Sequence, residues 1–296
     1  MGKNTARAEA TRKAAEMRAA AARKERQQKQ LITAAVAVVV VIIAAVIGLV
    51  VASQPDKAPT SANSSADAAV AKLSAIPASA FDAAGKPSNP NAIPQKLEGG
   101  QVLKNGDKPE VLYVGAEYCP YCATERWSLV AALERFGNFS GLTTTRSAEN
   151  DGNIPTVSFK DEKYTSDYIS FRAVETQDRN GKQIEQIPAD IEPLFKKYDA
   201  PPYVEASSQG AIPWTFYGTH QTVGSGVPIQ GFVSLTDDTA WTKIVEQMLT
   251  GKGDYGQPIM ANANAITAQI CTLTGNKPSD VCSSPAVVQT SPMLKQ

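Results

Sequence analysis

The stretch KPEVLYVGAEYCPYCATERWSLVAALERFG, residues 108–137, places two cysteines between a buried strand and a helix. Residues 111–114 form a continuous apolar run bounded by proline and glycine, which is typical of a buried strand. The part that follows repeats its apolar residues at helical spacing. The sequence therefore predicts a strand-to-helix junction with Cys119 in the first turn of the helix and Cys122 one turn deeper.

This position suits a reactive thiol. A thiol at a helix N-terminus faces unpaired N–H groups and the positive end of the helix dipole, and both stabilise the thiolate. Pro120 costs nothing in the first turn, where its missing N–H would have no partner. The C-x-x-C spacing therefore favours a redox-active dithiol at Cys119 and Cys122.

Two other uses of the pair remain open. A zinc site needs four ligands, but the chain has one histidine, His220, and its other two cysteines, Cys271 and Cys282, have ten residues between them. A structural disulfide across C-x-x-C would constrain the unfolded chain little. An inert disulfide and metal carriage are thus the weaker alternatives, and no resident metal or other cofactor is predicted.

The motif resembles known redox proteins. AEYCPYC, residues 116–122, is similar to the active-site turn of the thioredoxin superfamily, and its C-P-Y-C order is typical of glutaredoxins. Residues 108–139, with YTSDYISF (164–171) and ANANAITAQIC (261–271), resemble the family called domain of unknown function 929. This resemblance implies an α/β, thioredoxin-like fold with insertions, preceded by one transmembrane helix. It implies no substrate.

A thioredoxin-like fold places a cis-proline opposite the C-x-x-C turn, and two segments compete for that role. Pro155, in NIPTVSF, lies 33 residues after Cys122. Pro213, in GAIPWTFYG, lies much further on. Parallel strands need a crossover of a dozen or more residues, and only the longer interval contains both a strand-like segment and a helical one. The sequence therefore favours Pro213, followed by two strands (WTFYG and GFVSL) and a closing helix (DDTAWTKIVEQMLTG).

The resemblance also implies a substrate-binding segment at Ile212, Pro213 and Trp214. A cis bond before Pro213 would expose the backbone of Ile212 beside Cys119, where an extended client peptide could pair with it. Trp214 would add an apolar wall to the cleft, although a tryptophan in a strand is more often part of the core.

Charge and hydropathy divide the N-terminal part of the chain. Residues 1–30 contain nine Lys/Arg and three Glu, a net charge of +6, whereas the remaining 266 residues carry 20 basic and 26 acidic groups, a net of −6. Between them, residues 31–52 are 22 uncharged residues, long enough to span a bilayer as a helix. A cleaved signal peptide is the weaker reading, because the apolar run is too long for one. The basic flank places the N-terminus in the cytoplasm.

Composition then suggests the remaining boundaries. The basic arm has no aromatic residue to stack on bases, so contact with lipid headgroups is favoured over nucleic acid. Residues 53–69 are rich in Ser, Ala and Pro and predict a flexible linker. We expect an extracytoplasmic thioredoxin-like domain with an N-terminal docking segment over 70–255, and a C-terminal extension with a disulfide over 256–296.

The remaining cysteines have a simpler interpretation. In an oxidising compartment Cys271 and Cys282 can pair as a structural disulfide, although a relay with the first pair is also possible. His220 could assist proton transfer, but a lone loop histidine is usually only solvated.

The sequence as a whole predicts a membrane-anchored, extracytoplasmic thiol–disulfide oxidoreductase that acts on envelope proteins through Cys119 and Cys122. The rival hypotheses are a non-catalytic interaction module and, less favoured, a copper(I) carrier. Tyr121 lies between the cysteines where strongly oxidising periplasmic enzymes have histidine, so the motif departs from that class at this position.

Overall fold

Residues 64–295 are described by a computed structural model and form a mixed α/β domain. The basic arm, the expected transmembrane helix at 31–52 and residues 53–63 of the linker lie outside the described residues. Within 64–295, no helix has the length and apolarity needed to cross a bilayer.

The α-helices of the described part are α1 Ser64–Val70, α2 Ala78–Ala84, α3 Pro120–Leu133, α4 Glu192–Tyr198, α5 Ala240–Met248, α6 Gly253–Leu273, α7 Ser279–Cys282 and α8 Pro285–Thr290. The strands are β1 Gln95–Lys96, β2 Lys104–Asn105, β3 Lys108–Gly115, β4 Gly137–Ser140, β5 Thr143–Arg146, β6 Pro155–Ser158, β7 Lys163–Ser166, β8 Ser170–Glu175, β9 Trp214–Phe216 and β10 His220–Val223.

Strand β3 is the centre of the main sheet. It pairs with β8 in parallel and with β9 in the antiparallel sense, and β10 and β1 continue the sheet beyond β9. Successive side chains of a strand point to opposite faces, and both faces of β3 are covered. Val111 and Tyr113 belong to the core that includes α3 and α6, whereas Leu112 and Val114 pack in a second cluster that includes residues of α4.

The connection from α3 to β8 carries an insertion of two antiparallel strand pairs. In these pairs β4 lies against β7, and β5 lies against β6. Pro155, the weaker candidate for the cis-proline, begins β6 in this insertion. The insertion thus separates the cysteine motif from the second strand of the parallel pair.

Helix α6 corrects the predicted boundary between residues 255 and 256, which falls inside this helix. Its residues from Ile259 to Cys271 are buried, and it packs directly on α3, where Ser128 Oγ donates to Ile259 O at 3.1 Å. The alanines of α6 allow a close approach, and its buried Asn264 donates to Phe81 O at 2.8 Å. This part of the expected extension is therefore core.

Helix α1 corrects the expected end of the flexible linker. Residues 64–69 belong to this helix rather than to a tether, and Ala66 and Ala69 are buried with Val70 and Leu73. These four positions follow helical spacing, so they form one apolar stripe. Small alanine side chains give this stripe little hydropathy contrast, which is why composition alone suggests a linker.

The predicted strand GFVSL is wrong. Phe232–Ser234 is a 3-10 helix, in which Phe232 and Leu235 are buried at an i, i+3 spacing and Val233 is 46% exposed. The strand that pairs with β9 is instead β10. A tight turn reaches it through Gly218, whose φ of 80° suits glycine.

Cys271 and Cys282 form a disulfide, as predicted, with 11 residues of sequence separation. The bond joins the C-terminal part of α6 to α7. Cys271 and Cys282 are both buried in the main core.

Replacing Cys271 and Cys282 with serine should lower the free energy of unfolding. Opening a loop of this length releases about 3 kcal/mol of chain entropy in the unfolded state. Urea unfolding of the wild-type and double-serine chains measures the loss. If stability were unchanged while thiol exchange at Cys119 were lost, the pair would have a redox role instead.

Candidate functional site

The two cysteines of the motif lie where β3 ends and α3 begins. Cys119 is the N-cap of α3, and its Sγ accepts a hydrogen bond from the backbone N–H of Cys122 at 3.2 Å. Cys119 is 5% exposed, whereas Cys122 is fully buried one turn deeper. Both are free thiols in this structure. Cys119 is therefore the less buried of the two thiols, and Cys122 lies behind it.

The structure brings the Ile212–Pro213 segment to Cys119. Cys119 Sγ lies 3.6 Å from the carbonyl oxygen of Ile212. The peptide bond between Ile212 and Pro213 is cis, and the other cis bonds of the described residues precede Pro202 and Pro278. A backbone carbonyl thus faces the sulfur from across the site.

Trp214 does not form the expected wall of the cleft. Its side chain is fully buried, stacks against Phe216, meets Phe195 edge to face and donates Nε1–H to Gln221 Oε1 at 2.8 Å. Because it starts β9, its side chain points into the second core cluster. Trp214 therefore supports the segment from below and is not available to a partner.

The two thiols have opposite pKa shifts. A hydrogen bond from the Cys122 thiol lowers the pKa of Cys119, burial opposes this shift, and backbone N–H groups and the charge of Arg126 lower it further. Burial raises the pKa of Cys122 well above its ordinary value, and the bond to Cys119 and its charge raise it more. Cys119 is therefore the better nucleophile, and Cys122 holds its proton.

A buried ion pair lies under the motif. Arg126 and Glu175 are both fully buried, and two hydrogen bonds of 2.7 Å join the guanidinium to the carboxylate. Arg126 also donates to Ala116 O at 2.7 Å, while its Nη1 has no partner in residues 64–295. Burial would lower the pKa of Arg126, but the charge of Glu175 raises it above its ordinary value. The site thus contains a permanent buried cation.

A second buried acid, Glu125, is the neighbour of Arg126 on α3. Its side chain makes no ion pair with a described residue, and Ser225 and Asn262 donate hydrogen bonds to it at 3.0 and 2.8 Å. Burial raises its pKa to about 7, against the effect of these bonds. The cysteine motif alone gives no signal for Glu125, Arg126 or Glu175. A helix that is apolar on all sides is buried on all sides. The apolar residues around α3 therefore could have predicted that its two charged residues, Glu125 and Arg126, are buried.

The two remaining candidates lie apart from this geometry. His220 is on β10, and its Nε2 lies 3.3 Å from Leu294 O. The Cys271–Cys282 disulfide is near the C-terminal end of α3, where Arg135 donates to Ser284 Oγ at 3.0 Å. Cys119 caps the opposite end of this 14-residue helix, so the structure does not bring the two cysteine pairs together.

A family model, described as domain of unknown function (DUF929), matches residues 95–272. The chain belongs to the DUF929 family. The DUF929 match contains β3, α3, the Ile212–Pro213 segment and almost all of α6, which agrees with the burial of α6 in the core. Comparisons with curated proteins and with solved structures returned no match.

Proposed function

We propose that this protein is a thiol–disulfide oxidoreductase whose reacting groups are Cys119 and Cys122. The observation that carries the proposal is the asymmetry of the pair. Cys119 is the less buried thiol, caps a helix and has a lowered pKa, whereas Cys122 is fully buried with a raised pKa. A structural disulfide or a symmetric metal clamp does not need this difference.

The exchange balances within the pair. The Cys119 thiolate attacks one sulfur of a client disulfide, which forms a mixed disulfide and releases the other client sulfur as a thiolate. Cys122 then loses its proton and attacks Cys119 Sγ, which forms the Cys119–Cys122 disulfide and frees the second client thiol. Two electrons pass from the dithiol to the client, and the reverse sequence oxidises a client dithiol.

We further propose a thioredoxin-like arrangement for this domain. It is supported by the spatial order β8, β3, β9, β10, with the cysteine motif directly after β3 and Pro213 directly before β9. In this arrangement Ile212 and Pro213 would present backbone groups to an extended peptide beside Cys119. The half-exposed ring of Tyr121, within the motif, would add apolar contact.

The proposed clients are envelope proteins with thiols or disulfides, because the apolar run at 31–52 would anchor the chain in the cell membrane as a single-pass protein. The basic residues before that run favour a cytoplasmic N-terminus and an extracytoplasmic domain. An oxidising compartment is consistent with the Cys271–Cys282 disulfide.

Iodoacetamide should alkylate Cys119 of the reduced chain first. We expect the alkylation rate of Cys119 to rise with pH, and the midpoint of this rise to lie below the ordinary thiol pKa of about 8.5, because the hydrogen bond from Cys122 favours the thiolate. Cys122 should react slowly, because it is buried and holds its proton. Peptide mapping by mass spectrometry separates the two thiols.

The same chain unfolded in urea is the control, since both thiols should then titrate alike. A midpoint for folded Cys119 at or above the control would contradict the proposal and favour a non-catalytic interaction module.

A membrane-impermeant maleimide added to intact cells tests the location. Labelling of Cys119 only after the cells are broken would place the domain inside.

A further inference from the structure

The segment 224–227, GSGV, links Glu125 to Pro213, the residue after the Ile212 carbonyl that faces Cys119. Gly224 N–H donates to Pro213 O at 2.8 Å. The next residue, Ser225, donates through Oγ to Glu125 Oε2 at 3.0 Å and accepts from Thr124 Oγ1 at 3.0 Å. Residues 224–227 thus contact both helix α3 and the Ile212–Pro213 segment.

This segment is held closely on its other sides. Asn89 Nδ2 donates to Gly226 O at 2.9 Å. A Cβ on Gly226 would lie 2.5 Å from Ala92 Cβ and 2.6 Å from Asn262 Oδ1, so no side chain fits there. Asn262 in turn donates to the same Glu125 oxygen at 2.8 Å. The carboxyl group therefore joins α3, α6 and segment 224–227 at one point.

The contacts of Glu125 select its ionised form. Ser225 Oγ, Asn262 Nδ2 and the Gly226 backbone all donate to it, and a carboxylate accepts such bonds without offering a proton of its own. A protonated carboxyl would place a donor among donors. Glu125 is only 1% exposed and has no ion-pair partner in residues 64–295.

The ionisable surroundings of Glu125 are sparse. The neighbours from α6 and from segment 224–227 are the neutral Asn262 and Ser225. Tyr217, which follows β9, is fully buried, and burial together with the Glu125 charge raises its pKa well above its ordinary value. Tyr217 therefore stays neutral near pH 7, and the charge state of this junction changes with Glu125.

We propose that Glu125 is a positioning residue, whose ionised carboxylate holds segment 224–227 and thereby fixes the Ile212–Pro213 backbone for binding a client polypeptide. The inference rests on the proposed exchange function and adds a pH dependence to client binding. Burial raises the pKa of Glu125 to about 7. Above this pH the carboxylate orders the segment, and below it the protonated group releases the segment.

The test uses the full-length reduced chain and an alanine-based peptide with one internal disulfide. At each pH two quantities are measured with the peptide: the limiting rate, and the saturation constant, which is the peptide concentration that gives half of that rate. The rate at which iodoacetamide alkylates Cys119 is measured in parallel. In the wild type we expect the saturation constant to rise about tenfold as pH falls through 7. A change of this size corresponds to the loss of one hydrogen bond to a charged group. Iodoacetamide does not bind to the Ile212–Pro213 backbone, so its reaction rate should depend only on the ionised fraction of Cys119.

Glu125→Gln should remove this step and keep the higher saturation constant at every pH. Glu134→Gln is the matched control, because Glu134 follows α3 and contacts Phe139 N–H rather than segment 224–227. The control should keep the step. Ser225→Ala provides a second variant, and its step should be smaller and move to higher pH, because the carboxylate loses one donor and keeps the Gly226 backbone N–H.

A pH step that persists in Glu125→Gln would overturn the inference. So would an equal change in the peptide and iodoacetamide reactions, because the residue would then act on the thiol itself. If Glu125→Gln does not fold, the Ser225→Ala shift decides, and an unmoved step refutes the inference. Failure of wild-type Cys119 to react with either reagent would instead refute the exchange function.

Discussion

Cys122→Ala should accumulate covalent adducts with client proteins in cells, visible as high-mass bands that a reductant removes. In the proposed exchange, the buried Cys122 lies one turn behind Cys119 and attacks it within the same molecule. Removing this attack leaves only external thiols to resolve the mixed disulfide, so the adduct lifetime should rise on the order of 100-fold. Non-reducing gels and mass spectrometry of the bands measure the effect.

Matched variants show which cysteine attacks the client and which one releases it. Cys119→Ala should trap nothing, because Cys122 is fully buried and its pKa is raised by burial. Cys122→Ser keeps a hydroxyl donor near Cys119 and should trap more rapidly than Cys122→Ala. Adducts from Cys119→Ala alone would reverse the two roles. Their absence from every variant, with the domain folded, would favour a non-catalytic module.

The sequence placed the cysteine pair at a strand-to-helix junction because the relevant signals are local. An apolar run, a helical repeat and two cysteines between them lie within 30 residues, and the structure has β3 and α3 there. The choice of Pro213 over Pro155 rested on the chain length needed for a crossover. That interval does contain β8 and α4, the Ile212–Pro213 bond is cis, and the Ile212 carbonyl lies beside Cys119.

Other features depend on contacts that no local pattern carries. Arg126 and Glu175 are 49 residues apart in sequence, and their pairing follows from the parallel register that brings the end of β8 beside the end of β3. The segment GFVSL has strand-like composition, but the core receives Phe232 and Leu235 at an i, i+3 spacing. The position of Trp214 directly after Pro213 predicts a place in the cleft, but alternation along a strand does not say which face is solvent.

These long-range contacts change the chemistry of the site as well as its shape. A thiol motif at a helix start already favours the thiolate of Cys119. The fold adds the buried cation of Arg126, which lowers the pKa of both cysteines. Since Glu175 keeps this cation in place, the ion pair connects the stability of the domain with the reactivity of the motif.

Arg126→Met should therefore destabilise the domain by about 3–5 kcal/mol, because it leaves the Glu175 carboxylate buried without its partner. Urea unfolding at pH 7 measures the loss. Unpaired Glu175 would have a higher pKa in the folded chain than in the unfolded chain. The folded state would then bind the extra proton, so the deficit should shrink as the pH is lowered towards the unfolded carboxyl pKa and grow as the pH rises. Cys119 should also need a higher pH for alkylation, because a positive charge is lost.

A second substitution distinguishes the lost pair from a simple packing defect. Adding Glu175→Gln to Arg126→Met removes the stranded charge while keeping an acceptor for the Phe159 N–H, so most of the lost stability should return. Lys196→Met, which breaks the exposed Lys196–Glu192 pair, should change stability little. If the double variant were as unstable as Arg126→Met alone, the deficit would come from packing around the guanidinium. The slower Cys119 alkylation should persist in the double variant, because that effect depends on the missing cation and not on the free energy of unfolding.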